Sequence, residues 1–292
     1  MPRGKKKLVV VDADTLVFQS AAVSEERLVE VTHVPSSRKK IYKNRSEFKT
    51  EMKNKSFKIK QEDFQFEDIQ EEQPTEHCLH TIKLQTEAII DRFKDSYVVF
   101  VAGDKNNFRL DLPLPKRYKS NRDSMLKPIH LSKAKEYFID KYKAVSANGY
   151  EADDLSAILA YDGLKANKDV ILLSPDKDSK QFVGLQLFDY TNPDRPIVGI
   201  KDWHSIELNA KNKFKSYGIP FLSYQLLCGD ATDFYKPTDL CKDKFGDVAA
   251  YKVLSKCLTA KDCLQSVVEQ YKIWYKEPIT YTAWDYRDWE TF

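Results

Sequence analysis

Short runs of apolar residues, each followed closely by an acidic residue, mark the first part of the chain. The runs are Leu8–Val11, Tyr97–Ala102 and Asp169–Leu173, and helix-length segments separate them. This alternation predicts a parallel sheet with crossover helices, and therefore an α/β fold. The acidic residues that follow the runs are Asp12, Asp104, Asp176 and Asp178. Because functional residues collect beyond the carboxyl ends of parallel strands, we expect these carboxylates to share one site.

The rest of the pattern predicts an insertion and a helical C-terminal region. Within residues 24–73, apolar residues alternate over Leu28–Val31, and a basic stretch from Arg38 to Lys60 is followed by an acidic one. This predicts a β-ribbon with a charged excursion, inserted in an α/β core of residues 1–200; a solvated loop with no partner is the alternative. Over residues 201–292 apolar positions recur at helical spacing, which predicts a helical region.

Composition indicates an ordinary globular protein. The chain has 292 residues, 42% of them hydrophobic, which is enough to bury one large core. No apolar run approaches the roughly 18 residues of a membrane span, and the first run is too short for an export signal. The five cysteines include no Cys-x-x-Cys pair, so we expect reduced thiols and a cytoplasmic protein. The net charge of +3 does not by itself indicate a nucleic-acid partner.

The densest group of acids is Glu151, Asp153 and Asp154, at the predicted start of a helix. The helix dipole favours acids in a first turn, so a single one would indicate only capping. Three acids within four residues exceed what capping needs. Glu151 and Asp154 share a helical face and Asp153 points elsewhere, so one acid can reach a metal while another orients it.

Adding the Gly-Asp-Ala-Thr-Asp segment gives a set of candidate metal ligands from five parts of the chain. They are Asp12, Asp104, Glu151, Asp153, Asp154, Asp176, Asp178, Asp230 and Asp233. Converging carboxylates repel one another unless cations neutralise them. Oxygen donors without a His or Cys pattern indicate Mg²⁺ or Mn²⁺ rather than zinc, and the chemistry of a two-ion site of this kind is phosphodiester hydrolysis.

In order and spacing, these segments resemble the 5′-nuclease superfamily: flap endonucleases, the 5′-nuclease domain of bacterial DNA polymerase I and bacteriophage 5′→3′ exonucleases. The matching strings are Val-Asp12, Gly-Asp104, Tyr-Glu151-Ala-Asp153-Asp154, Ser-Pro-Asp176-Lys-Asp178 and Gly-Asp230-x-x-Asp233. The resemblance implies a PIN-like core with a mainly parallel sheet, a flexible helical arch at residues 105–130 and a helical DNA-binding region after it. It also implies that Asp12, Asp104, Glu151 and Asp153 hold the ion nearer the reacting phosphate. Asp176, Asp178 and Asp230 or Asp233 would hold the second ion.

Basic residues follow the second predicted strand: Arg109, Lys116, Arg117, Lys119 and Arg122. A solvated loop is one interpretation, but basic side chains beside a metal cluster can also hold phosphates and stabilise developing charge. The string Tyr118-Lys119-Ser120-Asn121-Arg122 resembles the base of the family's arch. This resemblance implies that Lys119 and Arg122 contact the phosphates nearest the chemistry, where Asp153 is also expected to act.

The predicted helix after Gly246 resembles part of the helix-hairpin-helix element of the family, but it lacks the second glycine. Lys244 and the backbone amides at Gly246 can still hold a duplex phosphate.

The resemblance implies a monomeric enzyme that acts on DNA with 5′ ends, flaps or nicks. RNA in an RNA–DNA hybrid is a further candidate substrate, replication proteins are candidate partners, and a phage protein would work in the host cytoplasm. Three alternatives stay open: a PIN-domain ribonuclease, a non-catalytic protein that binds DNA structures, and a phosphatase of the haloacid dehalogenase type. The last is suggested by Val-Val-Val-Asp12-Ala-Asp14-Thr15.

Overall fold

A computed structural model describes residues 6–54, 60–113, 117–123, 125–238 and 244–275. Its strands are β1 (Leu8–Asp12), β2 (Glu25–His33), β3 (Arg38–Tyr42), β4 (Phe64–Glu72), β5 (Tyr97–Asn107), β6 (Val145–Gly149), β7 (Val170–Leu173), β8 (Gln186–Phe188), β9 (Val198–Gly199), β10 (Glu207–Leu208) and β11 (Phe214–Lys215). Its helices are α1 (Asp14–Ala22), α2 (Arg45–Asn54), α3 (Thr75–Arg92), α4 (Leu131–Tyr142), α5 (Ala152–Lys165), α6 (Gly218–Cys228), α7 (Asp247–Leu254) and α8 (Ala260–Tyr275).

The chain divides into two compact units. The first unit combines the segment up to Asp12, residues Asp95–Met125, and the chain from Ser146 onward. The second combines Ala13–Lys94 with Leu126–Val145. The division into regions 1–200 and 201–292 stays a prediction.

A six-stranded sheet in the order β6-β5-β1-β7-β8-β9 forms the centre of the first unit. Strand β1 pairs in parallel with β5 and β7, so that Val10 lies between Val99 and Leu172. Strand β8 continues the parallel pairing and β9 joins it antiparallel. The predicted α/β fold with a mainly parallel central sheet is confirmed. Its central strand β1 is a continuous apolar run because it has strands on both edges and Val9, Val10 and Val11 are fully buried.

Helix α5 packs against β1, β5 and β7. Gly163 permits this close approach, since a Cβ atom there would lie 2.6 Å from Leu8 Cδ2 and 2.9 Å from Val170 Cγ2. Buried Ala157 and Ala160 on the same helix also keep the separation from the sheet small. The packing fixes the start of α5, where the acidic group lies.

The C-terminal part of the first unit is helical, as its apolar spacing predicts. Helix α6 packs against α7 and α8 around buried Leu227, Leu254 and Trp274. Residues 201–217 differ from the helical prediction, because they contain the two-stranded antiparallel pair β10–β11. These strands span only two residues each, which is too short to leave an alternating pattern in the sequence.

The second unit contains a helical part and a small sheet, each with buried apolar residues. Helix α1 packs against α3 and α4, and Leu16, Ile82 and Phe138 are buried there. The sheet has the antiparallel order β3-β2-β4. The β-ribbon interpretation of the insertion is therefore extended by a third strand and by α2.

The arch prediction covers residues 105–130. Within the described part of that range, the chain forms 3-10 turns at Phe108–Asp111 and Ser120–Arg122. Among the described residues, no helix has both the length and the apolar character needed to cross a membrane.

Candidate active site

Asp12 lies at the end of β1, the central strand of the sheet. Its side chain is buried, and one carboxylate oxygen accepts a hydrogen bond of 3.2 Å from Ser174 Oγ. The Asp12 carbonyl accepts another, of 2.9 Å, from the Tyr190 hydroxyl. Ser174 follows β7 directly, so the ends of two adjacent parallel strands are joined at this edge of the sheet.

The acidic group at the start of α5 lies in the same unit. Glu151 is the N-cap residue, and its side chain and that of Asp154 form a reciprocal capping box. Asp153 has a different environment: burial, together with the charges of Asp154, Glu151 and Asp12, raises its pKa to about 8. Asp153 also accepts a hydrogen bond from a first-turn amide, since its Oδ1 lies 2.8 Å from the Asp154 backbone nitrogen, but it lies outside the capping box and its carboxyl is the one with the raised pKa.

Arg109 binds the two capping acids. Its guanidinium donates to both carboxylate oxygens of Asp154, at 2.6 and 2.7 Å, and to Glu151 at 2.8 Å. The guanidinium also lies over the rings of Phe108 and Tyr118, 5.2 and 5.8 Å from their centroids. Although burial disfavours the charged form, these acids raise the pKa of Arg109, which stays cationic. A side chain predicted to bind DNA is thus engaged with the acidic helix start.

Tyr118 and Lys119 complete the surroundings of Glu151. The Tyr118 hydroxyl donates to Glu151 Oε2 at 2.7 Å, and Lys119 Nζ donates to Oε1 at 2.7 Å. Burial opposes ionisation of Glu151, but hydrogen bonds from Lys119 and Tyr118 lower its pKa. Lys119 has a left-handed backbone, with φ of 54°. Its ammonium group lies between two acids, because it is also 3.6 Å from Asp233 Oδ1.

A second acidic cluster consists of Asp178, Asp230 and Asp233. One carboxylate oxygen from each residue lies within 4.8 Å of those of the other two, an arrangement that could hold a metal ion. Burial and the charge of Asp176 raise the pKa of Asp178 to about 6, and burial also raises that of Asp233. Lys177 donates to Asp230 at 2.7 Å and keeps the pKa of that acid low against the effect of burial.

The turn that carries Asp230 and Asp233 depends on Gly229. This glycine has φ of 73° and ψ of −170°, a backbone conformation almost restricted to glycine. A Cβ atom there would lie 2.4 Å from the Tyr235 carbonyl oxygen. Tyr235 forms the antiparallel bridge with Asp230, so the glycine closes the turn that presents the acids.

The remaining predicted residues lie around these clusters or elsewhere in the first unit. Asp104 is exposed on β5, three positions beyond Val101, the partner of Asp12. Asp176 is exposed and caps a 3-10 turn by accepting from the Asp178 amide at 3.0 Å. Arg122 Nη2 lies 3.8 Å from Asp233 Oδ1.

Three further predicted DNA-binding residues have other surroundings, and one cannot be placed. Arg117 is exposed and forms an ion pair with Asp123. Lys244 is exposed, and Gly246 is the N-cap residue of α7. In the first turn of that helix, Asp247 accepts from the Phe214 amide and the Tyr224 hydroxyl. Lys116 lies outside the described residues.

Further side chains, to which the sequence analysis assigned no role of their own, contact the acids. Ser174 contacts Asp12, Tyr118 contacts Glu151, and Gln225 Nε2 donates to Asp178. Tyr118 precedes Lys119 directly, which was an available signal, whereas Gln225 lies 47 residues from Asp178 in the sequence.

Comparison with known proteins gives the family. A family model described as 5'-3' exonuclease, N-terminal resolvase-like domain, matches residues 40–211. The chain belongs to this family and is thus a nuclease, a hydrolase of phosphodiester bonds, with DNA as the substrate of its class. This membership decides against the phosphatase alternative. The sequence has no significant match among curated proteins.

Two solved structures are similar to this chain. The structure of the T5 D15 protein co-crystallised with metal ions has a TM-score of 0.51 at 14% identity, over 92% of this chain and 86% of that one. The T5 5'-exonuclease with bound zinc has a TM-score of 0.45 at 18% identity, over 66% of this chain and 77% of that one. The first likeness supports the fold of the chain.

Proposed function

We propose that this chain is a divalent-metal-dependent 5′ nuclease that cleaves DNA near 5′ ends by means of its two acidic clusters. The observation that carries the proposal is the convergence of Asp178, Asp230 and Asp233, with oxygens within 4.8 Å of one another. Asp12, Glu151 and Asp153 form the other cluster, and Lys119 contacts both Glu151 and Asp233.

The donor set fits divalent cations. The cluster of Asp178, Asp230 and Asp233 concentrates negative charge in a partly buried place, and lost hydration and mutual repulsion raise the pKa values of Asp178 and Asp233. Carboxylate oxygens are the ligands that Mg²⁺ and Mn²⁺ prefer. Bound cations of this kind can activate a water molecule and offset charge on the scissile phosphate and the leaving oxygen.

We assign the acids to two ion sites. Asp12 and Asp153 interact through their charges and would hold one ion together with Glu151 and Asp104. Asp178, Asp230 and Asp233 would hold the other, with Asp176 at its exposed side. Glu151 also has both oxygens hydrogen-bonded, to Lys119, Tyr118 and Arg109, but Asp154 is bound through both oxygens by one side chain, Arg109. We assign Asp154 to holding Arg109 and, through Arg109, Glu151.

Lys119 and Arg122 are the residues we expect to meet the substrate phosphate. Lys119 lies between the two acidic clusters, and Arg122 stands beside Asp233 with its side chain 40% exposed. A substrate phosphate that approaches the metal ions there would be an anionic partner for the side chains of both Lys119 and Arg122. The Lys119 ammonium would then stabilise charge that develops on the phosphate oxygens, whereas Arg122 would also contribute to binding.

The cleavage mode is tested with three end-labelled substrates in Mg²⁺: a 5′-flap duplex, a nicked duplex and a duplex whose 5′ segment is RNA. We expect cleavage of the flap near its junction, a product several nucleotides long, together with mononucleotide release from the nick. Release of mononucleotides from every substrate would assign the chain to exonucleolytic trimming alone. Absence of cleavage of any 5′-ended DNA would contradict the proposed function.

A further inference from the structure

The three-stranded sheet β3-β2-β4 of the second unit, here called the insertion sheet, has basic and acidic residues in different segments. Residues 38–54, which include β3 and α2, contain seven basic and two acidic residues, a net charge of +5. Residues 62–72, which include β4, contain six acidic residues and no basic one. Strand β2 lies between β3 and β4, so one edge strand of the sheet is basic and the other is acidic, while α2 packs against aromatic rings of both edge strands.

Internal ion pairs neutralise only part of the basic side. Lys39 pairs with Glu30 at 2.6 Å, Lys40 with Glu51 at 2.6 Å, and Arg45 with Asp68 at 2.8 Å. The other basic residues of this side are Arg38, Lys43, Lys49 and Lys53. All four are exposed, and none forms a side-chain ion pair with another residue that the structure describes. Their charges are therefore available to an external anion.

The helix that carries Lys49 and Lys53 is held firmly on the sheet. Asn44 accepts from the Glu47 amide at 2.9 Å, and Glu47 accepts from the Lys43 amide at 2.7 Å, so side chains satisfy two backbone amides at the start of the helix. Phe48 is only 2% exposed and packs edge-on against aromatic rings of β3 and β4, with centroids 5.0–5.4 Å apart. Lys49 and Lys53 lie one turn apart, about 6 Å along the helix axis, on this fixed support.

We propose that Arg38, Lys43, Lys49 and Lys53 form a second DNA-binding surface, which takes the phosphate backbone of the duplex part of the substrate. This inference rests on the proposed function. A duplex backbone supplies closely spaced negative charges, to which a surface of unpaired Lys and Arg side chains is complementary. Single-strand binding commonly adds base stacking on exposed aromatic rings. Here the described rings of the sheet are buried or packed in its core: Tyr42, Phe48, Phe64 and Phe66.

The test measures how the affinity of the full chain for DNA depends on salt. Calcium replaces Mg²⁺ to limit hydrolysis, and the probes are a 5′-flap duplex and a single strand of equal length. The variant is Arg38→Gln/Lys43→Gln/Lys49→Gln/Lys53→Gln, since Gln nearly matches Lys in helix propensity. For duplex DNA we expect weaker binding and a salt slope reduced by about 0.9 per lost contact, or roughly 3–4 in all. The single-turnover rate at saturating DNA should not change.

A matched pair of double variants isolates the surface from general charge effects. Lys49→Gln/Lys53→Gln removes two charges from the proposed surface, and Lys83→Gln/Lys133→Gln removes two exposed charges from α3 and α4 of the same unit. We expect a slope change of about 2 for the first pair and none for the second. Thermal melts confirm that all the variants fold.

Unchanged duplex slopes in the quadruple variant would overturn the inference, and so would a loss confined to the single strand. These results differ from failure of the proposed function, in which the unmodified chain itself would not cleave 5′-ended DNA.

Discussion

At the scale of single residues, the substitution Asp153→Asn distinguishes a structural role of Asp153 from a catalytic one. Asn has nearly the same volume and caps helices about as well as Asp, so Asp153→Asn should change the free energy of unfolding by no more than ~1 kcal/mol. If Asp153 holds an ion, losing its anionic oxygen should lower the single-turnover cleavage rate by about 10²–10³. DNA affinity, measured in Ca²⁺, should hold or rise. Near-normal cleavage by the folded variant would remove Asp153 from the site.

Lys119 and Arg122 should differ in what their loss affects. Lys119 is hydrogen-bonded to Glu151 and close to Asp233, so Lys119→Ala should reduce the single-turnover rate far more than duplex affinity. Arg122 is more exposed, so Arg122→Ala should reduce both. Rate and affinity are measured on the same flap substrate. Small, equal effects of both substitutions would assign the segment to a solvated loop.

Arg109 and Asp154 should act together as one positioning unit, because the ion pair between them holds Glu151 in place. Lys cannot reproduce the two-pronged guanidinium contact, so Arg109→Lys should misplace Glu151 and lower the single-turnover rate by about tenfold or more. Asp154→Asn should have a similar effect. The two together should cost little more than either alone, because both remove the same contact. A double-mutant cycle on the cleavage rate measures this coupling.

Two results would contradict this role of Arg109 and Asp154. Additive losses would indicate that Asp154 binds an ion independently of Arg109. A fall in the salt slope of DNA binding on Arg109→Gln, which removes the positive charge, would indicate that Arg109 contacts DNA phosphate.

Much of the site could be predicted from the sequence, because most of its acids either follow a strand or open a helix. Asp12 and Asp153 are found in this way, since the carboxyl ends of parallel strands and the following helix starts meet at one edge of a sheet. The ion-pair partner of Asp154, which is Arg109, could not be predicted in this way. Arg109 lies 45 residues away, and its local pattern equally fits a basic loop. An ion pair of this kind depends on tertiary packing, which local patterns do not encode.

At the scale of elements, the turn after α6 should depend on Gly229. Gly229→Ala would force an unfavourable backbone conformation, which costs about 1–3 kcal/mol, and would bring Cβ against the Tyr235 carbonyl. Because that turn carries Asp230 and Asp233, cleavage should then require a higher Mg²⁺ concentration. Gly199→Ala is the matched control, since a Cβ atom there meets nothing within 4 Å. An equal Mg²⁺ requirement in both variants would contradict this role of the turn.

The elements that the sequence did not predict are those whose residues are charged or whose length is short. Strand β3, Arg38-Lys39-Lys40-Ile41-Tyr42, reads as a basic loop, yet it forms an edge strand, where charged residues protect against further pairing. Helix α2 has a single buried residue, Phe48, and thus too weak a periodic signal to stand out. The central strands were predictable because burial on both faces demands apolar residues throughout.

At the scale of the whole molecule, the net charge of +3 conceals strong local charge. The acidic clusters of the first unit would repel DNA unless cations occupy them, and the basic side of the insertion sheet would attract it. The proposed function therefore makes activity conditional on divalent ions. Calcium should support DNA binding but little hydrolysis, since its looser coordination positions the reacting groups poorly.

The most direct test of this account is cleavage of a 5′-end-labelled flap duplex in Mg²⁺, in excess chelator, and after Mg²⁺ is restored. The Asp178→Asn protein, purified in the same way, controls for a contaminating nuclease. We predict cleavage in Mg²⁺, its loss in chelator, its return with Mg²⁺, and little cleavage by the variant under any condition. Cleavage that continues unchanged in excess chelator, or equally in the variant, would contradict the assignment of a metal-dependent nuclease site to these carboxylates.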